Sequence, residues 1–212
     1  MLRESRIFFH SLSEIWFPAV CAGCGALGAS PCPTCIDALH PAEPLEASPP
    51  LRDLVALIRY EDASRPFIAD LKYRGAWATA RVLGPGMAAL AEETIGGRVT
   101  DLTITWAPTT VRRARDRGFD QAEVLAREIG HRSGYRVERL LGRVAGPRQT
   151  GRTRSQRAEG IEFDAVRSID GPVLVIDDVV TTGATLRAAG VALHEAGASW
   201  VSAVALAATP EH

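Results

Sequence analysis

Residues 173–185 read Val-Leu-Val-Ile-Asp-Asp-Val-Val-Thr-Thr-Gly-Ala-Thr, and no other stretch limits the fold of this chain so tightly. Four consecutive apolar residues suit a strand covered on both faces, the habit of parallel sheets flanked by helices. Asp177 and Asp178 follow at the C-terminal end of that strand, where open α/β sheets place their ligands. A turn of Thr181, Thr182 and Gly183 then opens a helical pattern with Ala184 and Thr185 in its first turn.

The remaining chain alternates in the same way. Strands are predicted at 53–60, 102–107, 136–140, 173–176 and 199–206, with helices at 66–73, 78–95, 120–133 and 184–196. This alternation predicts an α/β domain with a parallel sheet and helices on both faces. Residues 41–50 carry four prolines, which forbid regular helix or central strand and predict a linker. The expected organisation is therefore an N-terminal module over 1–40, the linker over 41–50 and the α/β domain over 51–212. No apolar run approaches the roughly 20 residues of a membrane span. Arg3 and Arg6 are followed by Glu4, His10 and Glu14, which interrupt any secretory signal, so a cytoplasmic location without membrane insertion is expected.

The loop at 181–185 has the makings of an anion site. Successive N–H groups of a Gly-containing turn at a helix N-terminus point at a common centre, and three threonine hydroxyls add donors. Two carboxylates beside a phosphate would repel it unless they face hydroxyls or a cation. A ribose diol supplies the hydroxyls, taken directly or through bound Mg²⁺. The expected ligand is thus a ribose 5-phosphate.

All four cysteines lie within 15 residues as Cys21-Ala-Gly-Cys24 and Cys32-Pro-Thr-Cys35. Paired C-x-x-C knuckles this close suit a four-thiolate structural Zn²⁺ site that leaves no open position for chemistry. Residues 23–28 also spell G-x-G-x-x-G, but they sit between cysteines with Pro31 and Pro33 beyond, not between a strand and a helix, so no dinucleotide site is expected. Upstream, Leu2, Phe8, Phe9, Leu12, Ile15 and Trp16 are spaced for an amphipathic helix ended by Pro18, expected to dock the cysteine module.

Formal net charge is −1, yet residues 112–157 hold thirteen basic residues against five acidic ones, which leaves −9 on the rest. Of 24 basic residues only Lys72 is lysine, and Tyr73 follows it, so no Walker A phosphate loop exists. Arginine's planar fork pairs bidentately with phosphate oxygens. A clustered positive stretch is also the footprint of nucleic-acid binding. The sequence leaves both readings open for Arg115, Arg117, Arg148, Arg152, Arg154 and Arg157.

With these residues in hand, the chain resembles the competence protein F (ComF) family of the type I phosphoribosyltransferase superfamily. The resemblance runs from Cys21 to Leu206 through the cysteines, Leu71-Lys-Tyr-Arg-Gly75, Ala107-Pro108, Arg115-Asp-Arg-Gly-Phe-Asp-Gln-Ala122, Gln149-Thr-Gly with Arg157, and the acidic loop. The family usually has Asn at Asp120 and near Gly160. The resemblance implies a phosphoribosyl pyrophosphate (PRPP) site with Mg²⁺, formed by Asp177, Asp178, Val179, Thr181, Thr182, Gly183, Ala184 and Thr185. It also implies that Pro108, Arg112 and Arg113 meet the pyrophosphate and that 148–157 form part of a lid. By the same resemblance the role is DNA uptake during natural transformation, with single-stranded DNA and a competence helicase as partners. A phosphoribosyltransferase acting on a nucleobase or amine, with Asp177 and Asp178 as catalytic residues, is the alternative. A regulatory binding module without turnover is a third.

Overall fold

The structure, a computed structural model, describes residues 19–72, 76–144 and 162–210. Two short strands, β1 (Ala19–Val20) and β2 (Leu27–Gly28), pair antiparallel and precede a single helical turn, α1 (Pro33–Ile36). Strand β3 (Leu51–Arg59) then leads to helices α2 (Arg65–Asp70) and α3 (Ala76–Ile95). Next come β4 (Thr103–Trp106), α4 (Val111–Arg117), α5 (Gln121–Ser133) and β5 (Arg136–Val137). A two-stranded antiparallel ribbon, β6 (Leu141–Arg143) with β7 (Phe163–Ala165), is followed by β8 (Gly171–Val180), α6 (Ala184–Glu195) and β9 (Ala198–Ala208).

Five strands form one sheet in the order β3-β9-β8-β4-β5, and every neighbouring pair is parallel. The α/β class with a parallel sheet is as the sequence predicts. Val173, Leu174, Val175 and Ile176 are fully buried, as a strand covered on both faces must be. On one face, Leu174 and Ile176 pack with Met87 of α3 and Leu125 and Ile129 of α5. On the other, Val173 and Val175 pack with Leu186 and Leu193 of α6 and Phe163 of the ribbon. Helix α3 runs through Pro85 between two glycines whose missing side chains admit neighbours. A Cβ at Gly84 would lie 2.4 Å from Glu128 Cγ of α5, and one at Gly86 would lie 3.2 Å from Leu57 Cδ2 of β3.

Three expectations need correction. Helix α4 falls where no helix was expected, because its face is arginine-rich and lacks apolar periodicity. Its signals are its caps: the Thr110 side chain accepts from Arg113 N, and Gly118 ends it at φ 80°. Strand β5 stops at Val137 instead of residue 140, since Leu140 N donates to the Thr105 hydroxyl at 3.2 Å and leaves the ladder. Residues 141–143 then turn into the unexpected ribbon.

The 41–50 segment has no helix or strand of its own but is not a free tether. Arg59 N donates to His40 O at 2.8 Å, Pro41 bridges Ile58 antiparallel, and Leu45 packs on the core. The helix expected before Pro18 lies outside the described residues. No helix among the described residues is long and apolar enough to cross a membrane.

Candidate functional site

The chain leaves β4 toward β5 on one side, and β8 joins β4 on the other. Consecutive connections therefore diverge at β4, and a crevice opens beyond the strand ends at such a switch point. Strand β4 pairs with β8 only as far as Trp106 opposite Ile176, whereas β9 accompanies β8 to Val180. Asp177 and Asp178 thus sit where β8 is supported on one edge and open on the other. A cleft of about 400 Å³ occupies this place. Its walls include Ala107, Pro108 and Thr109 after β4, Arg113 and Arg117 of α4, and Asp177, Asp178 and Val179 of β8. Thr181 and Thr185 border it at the start of α6, and Tyr60, Lys72 and Thr209 also line it.

The turn into α6 behaves as its composition dictates. Gly183 adopts φ 71°, a conformation that a side chain would strain, and provides no side-chain cap for the helix. Ala184 N is held loosely by the Thr182 hydroxyl at 3.4 Å. Thr181 and Thr182 are exposed, and helix-start amides without a side-chain cap suit an anion. Thr182, Gly183 and Ala184 complete the turn without bordering the cleft.

Around the acidic pair the charges are crowded. Asp178 N donates to Asp177 Oδ1 and Val179 N to Asp178 Oδ1, each at 2.8 Å. Burial, reinforced by the neighbouring charge of Asp178, holds the Asp177 carboxyl well above the usual carboxylate range. Asp120 is buried as the N-cap of α5, accepting from Ala122 N at 3.1 Å and from Thr109 N at 2.8 Å. Burial raises its carboxyl too, against the pull of those amides. Asp120 thus ties the loop after β4 to α5 and borders the cleft.

The predicted arginines divide. Arg113 and Arg117, one helical turn apart, line the cleft. Arg112 projects into solvent with its side chain 91% exposed, 3.8 Å from Asp116, and Arg115 is exposed. Arg148, Arg152, Arg154 and Arg157 lie outside the described residues. Sequence reading missed Arg143, which reaches the cleft from β6. Its signal was hidden because the ribbon that carries it pairs residues some 20 apart. Gln121 also borders the cleft. Arg117 donates to Gln121 Oε1 at 2.9 Å, which fixes the amide, and Gln121 Nε2 is buried with no hydrogen-bond partner.

The four cysteine sulfurs lie within 4.8 Å of one another. Cys24 Sγ is 3.6 Å from Cys32 Sγ, and Cys32 N donates to Cys21 Sγ at 3.4 Å. A Zn–S bond of about 2.3 Å sets tetrahedral sulfurs about 3.8 Å apart, whereas a disulfide needs about 2.05 Å. All four cysteines are free, so the donor set fits one structural zinc. Burial opposes ionisation of the Cys21 thiol, but N–H groups of Cys32, Cys24 and Gly23 prevail and bring it down to about 6. Burial and the neighbouring cysteines push the Cys35 thiol up to about 12. Phe67 of α2, fully buried, packs against Cys21 and Cys32, while Ser30 Oγ lies 3.5 Å from Asp70 Oδ2. These contacts dock the module on the α/β domain.

No protein-family model matches the chain, and no curated protein matches it. Among solved structures, one described as the allosteric regulatory enzyme of purine biosynthesis is similar at 22% identity with a TM-score of 0.40. The match covers 59% of this chain and 25% of that one, so this chain spans about a quarter of that structure's length.

Proposed function

We propose that the chain is a PRPP-binding, phosphoribosyltransferase-like protein of the ComF type with a structural zinc. One observation carries this reading. Two carboxylates, a threonine–glycine turn at a helix start and a set of cleft cations meet at the switch point of a parallel sheet. The ligand's chemistry divides in the same way. The 5′-phosphate would rest on the 181–185 turn, the ribose hydroxyls on Asp177 and Asp178, and the pyrophosphate against Pro108 and Arg113. The cleft volume lies within the range of small-molecule sites.

Two adjacent carboxylates beside phosphate oxygens are a donor set that fits Mg²⁺, which binds through one or two carboxylates plus substrate phosphates. When bound it would neutralise charge on the pyrophosphate. In turnover, an acceptor would form a bond to the anomeric carbon as the carbon–oxygen bond to pyrophosphate breaks, and pyrophosphate would leave with the electron pair. The chain's share is alignment and stabilisation of the leaving group by arginine. No histidine borders the cleft among the described residues, and a nucleobase or amine acceptor finds no evident base other than the carboxylates.

Titration with PRPP and Mg²⁺, followed by a pyrophosphate-release assay against nucleobases and amines, tests the reading. Binding with no release under any acceptor identifies a binding module. Acceptor-dependent release identifies the transferase, and flat titrations overturn the proposal. The role in DNA uptake, with single-stranded DNA and a competence helicase as cytoplasmic partners, rests on the sequence resemblance. It requires salt-sensitive single-strand binding that falls on charge reversal of Arg152 and Arg154.

A further inference from the structure

Two residues that line the cleft, Tyr60 and Lys72, are the ends of one stretch of chain, and the cysteine module grips that stretch along its length. At its start, Arg59 N donates to His40 O at 2.8 Å, and His40 Nδ1 pairs with Glu61 Oε1. In its middle, Phe67 of α2 is fully buried against Cys21 and Cys32. Near its end, Asp70 Oδ2 accepts from the Ser30 hydroxyl at 3.5 Å and from the Thr79 hydroxyl of α3 at 2.9 Å. Ser30 and Thr79 are 1% and 0% exposed, so removing the carboxylate leaves two buried hydroxyls short of an acceptor. Ser30 Oγ also accepts from Ala22 N at 3.1 Å, inside the first cysteine knuckle. Beyond Asp70 the backbone stays tied to the helix, since Leu71 N donates to Phe67 O and Lys72 N to Ala69 O. Helix α2 has only six residues, too few to hold itself in water, so its side-chain contacts set its orientation. Ile68 and Leu71 bury in the domain core, whereas Phe67 and Asp70 touch the module. Among the described residues no carboxylate pairs with Lys72, which leaves its ammonium for an occupant of the cleft.

We propose that Asp70 is a positioning residue through which the cysteine module holds Lys72 at the cleft, so that metal in the module and ligand in the cleft are bound cooperatively. The inference rests on the PRPP reading and adds a dependence to it. Four thiolates close around a metal, and the module's fold depends on that closure. Without it Phe67 and Asp70 lose their partners on the module side, while Ile68 and Leu71 keep theirs in the core. Helix α2 then persists, but its C-terminal turn is no longer held from both sides. Lys72 carries the cost, because its charge acts on an anionic ligand only at short range in water. Linkage makes the effect reciprocal: an anion held by Lys72 fixes α2, and a fixed α2 favours the closed module.

Calorimetric titration of the zinc-loaded full chain with PRPP and Mg²⁺ tests the coupling in wild type, Asp70→Ala, Asp70→Asn, Lys72→Met and the Asp70→Ala/Lys72→Met double variant. Asparagine keeps an acceptor for Ser30 and Thr79, so it separates the hydrogen bonds from the charge. Asp70→Ala and Lys72→Met should each weaken PRPP about tenfold, and Asp70→Asn by less than about twofold. The double variant should lose no more than the weaker single variant, because Asp70 acts through Lys72. In wild type, saturating PRPP with Mg²⁺ should raise the concentration of a zinc-selective chelator needed to strip the metal by about fivefold or more, a protection that vanishes in Lys72→Met. Losses that multiply in the double variant, wild-type affinity in Asp70→Ala or Lys72→Met, an asparagine variant as weak as alanine, or chelator midpoints indifferent to PRPP would overturn the coupling and leave the PRPP reading in place. Should Asp70→Ala fail to hold zinc, the chelator midpoints of wild type and Lys72→Met, with and without PRPP, decide between the same two outcomes. Zinc-loaded wild type that does not bind PRPP overturns both readings.

Discussion

In the cysteine cluster every ligand group faces another ligand group, and all four come from 15 consecutive residues. The cleft is built the other way. Its charged groups come from Lys72 through Asp178, and several share the cleft with groups of their own sign: Asp177 with Asp178, Arg143 with Arg113. A closed cluster satisfies itself once one metal is present and therefore supports folding. On the reading proposed above, a ligand of the right charge would relieve the like-charge repulsion in the open cleft. The first kind of site would then stabilise the chain, and the second would make it responsive to its ligand.

Metal removal should separate the two regions most sharply. Structural zinc in small peptides contributes about 10–16 kcal/mol. Chelation under reducing conditions should lower the melting temperature by tens of degrees or unfold the module outright, and zinc analysis should return about one equivalent per chain. An unchanged melting curve after complete chelation breaks the contrast. Next in size is Phe67→Ala, which empties the docking face between module and domain and should cost about 3–5 kcal/mol in denaturant unfolding. Gly23→Ala attacks the same contact from the other side. A Cβ there would lie 2.7 Å from Phe67 Cζ and 3.1 Å from Cys35 Sγ, so a loss of about 1–3 kcal/mol is expected.

Changes in the cleft should run in the opposite sense. Asp177→Asn should weaken PRPP binding about 10–100-fold, or about 1.4–2.8 kcal/mol, while the ligand-free protein gains stability at neutral pH. The sign follows from linkage. The folded state holds the Asp177 proton more tightly than the unfolded chain does, so stability falls as pH rises from the ordinary carboxylate range through the raised value, and asparagine escapes that loss. Melting curves across pH 4–8 check it, and a destabilised variant at neutral pH would contradict the assignment of Asp177 as a strained, ligand-facing group. The smallest effect is expected at Arg112. Exposed and beyond the cleft, it should change stability by about 0.5 kcal/mol or less on replacement by alanine and leave PRPP affinity within twofold. Arg113→Ala should lose affinity by about tenfold.

What the sequence made legible follows the same division. The β8 strand, its acidic end and the glycine turn are contiguous, so their place in the fold was legible in the sequence, and Gly183 has the positive φ its place demands. The cysteine knuckles were equally plain. Arg143 and Gln121 were not, because their meaning depends on which distant strand or helix lies opposite. The split between Arg112 and Arg113 was hidden for another reason. Without apolar periodicity nothing marked α4 as a helix, so nothing told which arginines share its inner face. Asp120, which departs from the pattern of the family that the sequence resembles, is the buried tie between the β4 loop and α5.

The short pairing of residues 40–42 along β3 has a consequence beyond tying down a linker. Strand β3 is the long outer margin of the sheet, and Pro41 lies there with no N–H of its own to offer a neighbour. At the other margin β5 is only two residues long. The 40–42 pairing therefore blunts the last three residues of the β3 margin, and the β5 margin offers a foreign extended segment only two residues to pair with.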